Sequence, residues 1–204
     1  LGSSNDIDGR IALRLDRPAT LGPDDNLFYL LEAERLDEEH YTATQGLGAI
    51  GMRRVYSDQL FGEASIGFNT ILASDAFGER RFKYITGYVR AEYDRRNSRV
   101  DASQGYFLDA RLTPFFGLDG TDSGLRMQLD GRVYHGLGSD DRIVLAARAQ
   151  LGSVLGPSLG NTSPTLLFFS GGAGSVRGHE YQSLGIPIGN NMAGGRGYLA
   201  LSGE

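Results

Sequence analysis

Apolar and polar residues alternate with a period of two along most of the chain. Ile85, Gly87, Val89, Ala91 and Tyr93 fall on one side, and Thr86, Tyr88, Arg90, Glu92 and Asp94 on the other. Leu125, Met127, Leu129, Gly131 and Val133 oppose Arg126, Gln128, Asp130, Arg132 and Tyr134 in the same way. Successive strand residues point to opposite faces, so each such segment has one apolar and one polar side. The pattern predicts strands at about 8–16, 27–36, 43–56, 60–73, 81–95, 104–115, 123–136, 141–154 and 195–204. Turn chemistry separates them: Pro18, Gly22-Pro23-Asp24-Asp25, Ser57-Asp58, Asn97-Ser98, Asp119-Gly120 and the 138–141 segment. No stretch holds a 3.6-residue period, so no substantial helix is expected.

Strand length and face chemistry narrow the architecture. Several segments exceed the ~5–6 residues usual in globular sheets and suit the ~9–11 that cross a bilayer at a tilt. One face carries charges of both signs, as a water-filled lumen would, and the other is largely free of them. The expectation is an all-β fold, an antiparallel transmembrane β-barrel present as about nine strands. A soluble β-sandwich binding module is the alternative that alternation also allows. Bacterial single-chain barrels have an even number of strands. Nine strands, with the last running to Glu204, therefore read as a piece of a longer protein.

Composition removes several other classes. The 204 residues carry a formal charge of −5, which argues against a general nucleic-acid binder. There is no cysteine, and so neither a disulfide framework nor a thiolate metal site. His40, His135 and His179 lie far apart without ligand spacing, and no metal or cofactor is expected. The start, Leu1 to Asn5, lacks the basic and apolar regions of a signal peptide. Two enzyme-like patterns fail on context. Gly172-Ala173-Gly174 after an apolar run mimics a dinucleotide loop, but Arg177 takes the place of the third glycine and no helix can follow. Gly156-Pro157-Ser158-Leu159-Gly160 matches a nucleophile elbow, but Pro164 ends any helix behind it. No catalytic residue is assigned, and the chain is not expected to be an enzyme.

What stands out is the connection of about 154–194. Hairpin loops usually have 2–5 residues, and this one contains the apolar run Leu166-Leu167-Phe168-Phe169, Tyr181, the glycines Gly171, Gly172 and Gly174, and a central Arg177. Glycines allow φ > 0 and close backbone approach, so the segment can fold back into a cavity. A guanidinium carried there requires a carboxylate, since an unpaired buried charge is very costly.

The stretch from Phe168-Phe169-Ser170-Gly171-Gly172 through Val176-Arg177-Gly178 resembles the loop motif of the BamA/TamA superfamily of outer-membrane assembly and translocation barrels. Tyr181 to Gly185, then Gly194-Gly195, look most like the TamA branch of alphaproteobacteria. Tyr93-Asp94-Arg95-Arg96-Asn97 followed by Gly105-Tyr106 resembles the same family's strand-turn-strand pattern, carried by Asp94, Arg96 and Gly105. The resemblance implies a sixteen-stranded barrel in the bacterial outer membrane, of which residues 1–204 are a partial C-terminal portion, with the periplasmic POTRA domains outside this chain. It implies that the loop, the sixth extracellular one, folds into the lumen. There Arg177, within the lock Val176-Arg177-Gly178, would meet the lumen-facing Glu204, nine residues after the double glycine. If that pair is desolvated, removing one partner costs about 3–5 kcal/mol. Alternation separately places Arg196, Tyr198, Ala200, Ser202 and Glu204 on one face, with Leu199 and Leu201 toward lipid. The family's usual aromatic after Val-Arg-Gly is His179 here, which leaves Tyr181 as a substitute, and Asn97 stands where aspartate is common. The implied partners are outer-membrane lipids, client outer-membrane proteins of autotransporter type, and a TamB-like partner anchored in the inner membrane, with no nucleic acid. A two-partner secretion transporter or a passive pore remains the competing membrane reading.

Overall fold

The computed structural model describes residues 9–138, 141–172, 174–176 and 178–204. Its strands are β1 (Gly9–Pro18), β2 (Asp25–Glu38), β3 (Tyr41–Val55), β4 (Leu60–Asp75), β5 (Gly78–Asp94), β6 (Gly105–Gly117), β7 (Gly124–Leu137), β8 (Ile143–Leu155), β9 (Ile186–Ile188), β10 (Asn191–Ala193) and β11 (Gly197–Gly203). Nine of them form one antiparallel sheet in the order β1-β2-β3-β4-β5-β6-β7-β8-β11. Every neighbour is therefore next in sequence except β8 and β11, which the long connection joins. Among the described residues the sheet does not close on itself, since β1 and β11 each have one sheet neighbour. The remaining two strands make a small hairpin inside the connection, which alternation did not predict.

The pairing register sorts the side chains by face. Ile85 lies opposite Phe116, Val89 opposite Leu112 and Tyr93 opposite Leu108. Leu129 pairs with Leu151, which in turn pairs with Leu199. These residues stand on the outward face, where Tyr93 is half-buried and most others are exposed; on the same face Ile11 is 80% and Leu201 71% exposed. A continuous exposed apolar wall is what a bilayer covers, and between β1 and β11 the ladder pairs the main chain within the sheet. No helix among the described residues is long and apolar enough to cross a membrane; the strands are the crossing elements.

The opposite face is mixed. Near the end of the sheet that carries the long connection, Ala43, Ile71, Ala73, Phe82, Tyr84, Phe115 and Val154 form a buried cluster. Tyr84 stacks parallel to Phe82 and meets Phe115 edge-on. Elsewhere this face is charged and internally paired. Arg90 bonds Asp109 and Glu92, each at 2.6 Å, and Arg111 bonds Asp109 at 2.5 Å. Asp130 receives Arg132 at 2.9 Å and Arg148 at 2.7 Å. Arg90 and Arg111 are balanced by Asp109 and Glu92, whereas Asp130 shared by Arg132 and Arg148 leaves that cluster with one net positive charge.

The inserted loop and its seat on the inner face

The connection between β8 and β11 folds back over the inner face. It starts with two single 3-10 turns, Leu159–Asn161 and Pro164–Leu166, whose neighbours Thr162 and Ser163 are fully buried. Arg80, paired with Asp75, donates to the Gly160 carbonyl, and Asn161 donates to Asp122 at 2.9 Å. The apolar run then covers the buried cluster: Leu166 and Phe168 pack against it, and Leu167 is itself buried. Apolar residues in a loop are thus explained by an apolar patch on the wall that would otherwise face water.

Phe168 is the best-defined anchor. Its ring stacks on Tyr198 with centroids 5.8 Å apart, and the Arg126 guanidinium lies 4.7 Å from its centroid on β7. Below the ring sits Gly152 of β8, where a Cβ would fall 2.6 Å from two ring carbons. Phe169 stacks on His40 and Tyr41 at the rim between β2 and β3, each at 5.7 Å. The His40 ring nitrogen Nε2 also meets the Gln182 carbonyl at 3.1 Å. Arg126 was placed on the inner face by alternation but not singled out. It bonds Gln128 at 2.9 Å, while among the described residues its Nε has no partner. Its significance depends on where a residue forty-two positions later lands, which the strand pattern does not reveal.

The root of the loop is closed by its own backbone. Phe168 and Gly195 exchange hydrogen bonds of 2.9 and 2.7 Å, and Ser170 and Leu184 exchange bonds of 3.0 and 2.8 Å. Gly194 lets this happen, since a Cβ there would lie 2.7 Å from the Leu167 side chain. Arg196 fixes the return by donating to the Pro157 carbonyl at 2.6 Å. Gly171 has φ +116°, and a Cβ on it would strike the Glu180 carbonyl at 2.2 Å, so only glycine fits there. Gly172 bridges to Val176, and Ser175 Oγ ties to both the amide and the carbonyl of Gly171.

The tip reaches a cavity of about 550 Å³ against β7, β8 and β11. Gly174, Ser175 and Val176 line one side of it, and Arg132, Arg148 and Glu204 are among the residues on the other. Arg148 donates to the Gly174 carbonyl at 3.4 Å. Arg177 lies outside the described residues, and so does its anticipated contact with Glu204. Gly178, the third residue of that motif, has φ +89°. Tyr181 does not replace the missing family aromatic by burying its ring: it is 64% exposed. Tyr181 lies in the turn closed by the Ser183 amide donating to the Glu180 carbonyl at 3.3 Å, while Phe168 and Phe169 hold the ring contacts with the wall.

At the opposite end of the sheet, Asp94 and Arg96 bracket the turn after β5. Arg96 donates to Asp94 through Nε at 2.9 Å and Nη2 at 2.8 Å, and its guanidinium covers the Phe107 ring at 4.8 Å. That pairing keeps the Arg96 guanidinium charged more firmly than usual. Gly105, with φ +102°, starts β6 where a Cβ would collide with the Arg95 carbonyl at 2.1 Å. Asn97 serves where aspartate is common. Its side-chain carbonyl accepts the Ser103 and Gln104 amides, each at 3.1 Å, and its amide donates to Ser103 at 2.8 Å. The last of these bonds needs a donor that an ionised aspartate lacks.

A long antiparallel sheet with a lipid-facing apolar wall, a charged inner face and a loop folded onto that face defines a segment of a transmembrane β-barrel with an inserted loop. The Omp85 superfamily domain matches residues 31–204, and the chain belongs to that superfamily. It is a bacterial outer-membrane protein. The sheet superposes on the crystal structure of BamA from Haemophilus ducreyi lacking POTRA domains 1–3, with a TM-score of 0.71 at 16% sequence identity. The match covers 86% of this chain but 38% of that one. Comparison with curated proteins yields no match.

Proposed function

We propose that the intact protein acts in outer-membrane protein assembly or translocation, as a TamA-like factor that aids insertion or secretion of autotransporter-type clients. The carrying observation is the loop seated on the inner face, with Gly174–Val176 and Glu204 lining one cavity. In this reading the chain supplies nine of sixteen strands, and POTRA domains elsewhere in the protein receive the client. A TamB-like partner anchored in the inner membrane would hand clients to them. The chemistry is non-covalent. Client strands pair through main-chain hydrogen bonds at a weak seam, the strand-addition mode of recognition. The seated loop braces the wall while that seam opens, with Val176, Arg177 and Gly178 as the lock and Glu204 as its lumen partner. Replacing Arg177 with Ala in the intact protein tests this. The barrel should unfold at lower temperature and client assembly should fall; undiminished heat stability together with normal assembly refutes the bracing role.

A further inference from the structure

The outward wall is not uniform. Its lateral rows read Tyr93, Leu108, Gly131, Ala149, Leu201 at one level and Arg95, Tyr106, Val133, Ala147, Gly203 at the next toward the turn end. Leu108 and Leu201 project on either side of Gly131 and Ala149, which barely project at all. The result is an apolar groove of about 580 Å³ across β6, β7, β8 and β11, within the roughly 300–1,000 Å³ that ligand pockets span. Leu129 and Leu151 occupy the adjoining row toward the middle of the sheet and limit the groove there.

The turn end of the groove has a different chemistry. The rings of Tyr93 and Tyr106 lie 5.7 Å apart, both facing outward. Outward tyrosines at a strand end mark the level of the membrane–water interface. Arg95, the first residue after β5, is exposed and continues the outward row of Tyr93, level with Tyr106 on β6. Its main-chain amide bonds the Tyr106 carbonyl at 2.9 Å, which fixes it to the wall of the groove. None of the residues in these two rows is acidic. Of the carboxylates in the turns at this end, Asp141 is engaged by Ser103 at 2.6 Å and by Gln104 at 3.0 Å, and Asp101 is exposed.

We propose that this groove holds one diacyl phospholipid, with an acyl chain over Gly131 and Ala149 and the phosphate against Arg95 and the Tyr106 hydroxyl. The apolar channel fits a hydrocarbon chain, and an exposed guanidinium in the row of an interfacial tyrosine pair fits a phosphate anion. Neither half alone selects a lipid, because any outward face meets hydrocarbon and any surface arginine meets anions. Their spacing along one groove, with tyrosines at the join, makes the combination specific. The proposal rests on the outward face meeting lipid and is independent of the loop lock.

The test is native mass spectrometry of the intact protein released from detergent in the presence of phosphatidylglycerol. The wild type should retain one phosphatidylglycerol. Ala149→Leu, which fills the groove floor, and Arg95→Gln should each weaken retention roughly tenfold, the scale of one charge-assisted hydrogen bond or one displaced chain segment. Diacylglycerol, which lacks the phosphate, and glycerol 3-phosphate, which lacks the chains, should not be retained. Equal retention by wild type and variants overturns the proposal, as does retention of glycerol 3-phosphate alone. If Ala149→Leu fails to fold, as a lost gel-mobility shift on heating would reveal, Ala147→Leu and Arg95→Gln decide the matter by the same criteria. An Arg177→Ala variant with impaired assembly but normal lipid retention leaves the groove standing, so the two readings fail separately.

Discussion

Gly152→Ala is the sharpest probe of the seated loop, because Gly152 is on the wall and the three atoms nearest to a Cβ there all belong to the Phe168 ring. A Cβ at 152 would lie 2.6 Å from two carbons of that ring. Carbon atoms pack at about 3.5–4.0 Å, so the ring must retreat by roughly 1 Å. It has little room to do so, with Tyr198 stacked at 5.8 Å and the Arg126 guanidinium at 4.7 Å. Overpacking of this kind costs about 1–3 kcal/mol. The stacking and cation–π contacts it disturbs are each worth about 0.5–1.5 kcal/mol. We expect Gly152→Ala to destabilise the intact protein by about 2 kcal/mol in equilibrium urea unfolding in detergent. In a Phe168→Ala background the same change should be neutral or slightly stabilising, since alanine is otherwise the better strand residue. The double-mutant cycle should therefore return a coupling of about 2 kcal/mol. Equal effects of Gly152→Ala in both backgrounds would refute the placement of Phe168 on the inner wall.

Two further outcomes follow from the same geometry. Arg126→Met removes the cation over Phe168 and its bond to Gln128, a loss of about 1 kcal/mol from the seated state. Trypsin should then cut after Arg177 roughly fivefold faster than in the wild type, and an unchanged cleavage rate would show that Arg126 does not hold the loop. Outside the membrane span, hydrogen bonds from Ser103 and Gln104 hold the Asp141 carboxyl below the usual aspartate range. Its folded-state value is depressed, so the tie between the 95–104 turn and Asp141 is present above the unfolded value near 3.9 and is lost as pH falls through the folded one. Carbon NMR titration of Asp141 should show this depression, and Ser103→Ala with Gln104→Ala should return the carboxyl toward the free value. A titration unaffected by the double variant would sever the link between the 95–104 turn and Asp141.

The wall of this protein was legible because its chemistry is periodic. Each of the nine sheet strands begins and ends within a few residues of its expected bounds, and the lipid-facing row Leu199 and Leu201 is where alternation placed it. A bilayer on one face and water on the other leave a period-two trace that local sequence retains. The loop left a weaker trace. Leu166 to Phe169 were apolar without a visible reason, and the reason is a patch assembled from β3, β4, β5, β6 and β8. The β9–β10 hairpin escaped because its strands have three residues and one contains Pro187, although the Gly189-Asn190 pair between them is a hairpin signal. Arg126 escaped for a different reason. An arginine on a polar strand face looks like its neighbours until the tertiary fold sets Phe168 above it.

The reciprocal bonds at Phe168–Gly195 and Ser170–Leu184 have a mechanical consequence. They turn the base of the insert into a short stiff ribbon, rooted between β8 and β11 and propped by Arg196. A push at Gly174–Val176 is then not absorbed by slack chain. It arrives as a bending moment on the two staves that flank the root, which lets a tug at the tip be felt across the wall.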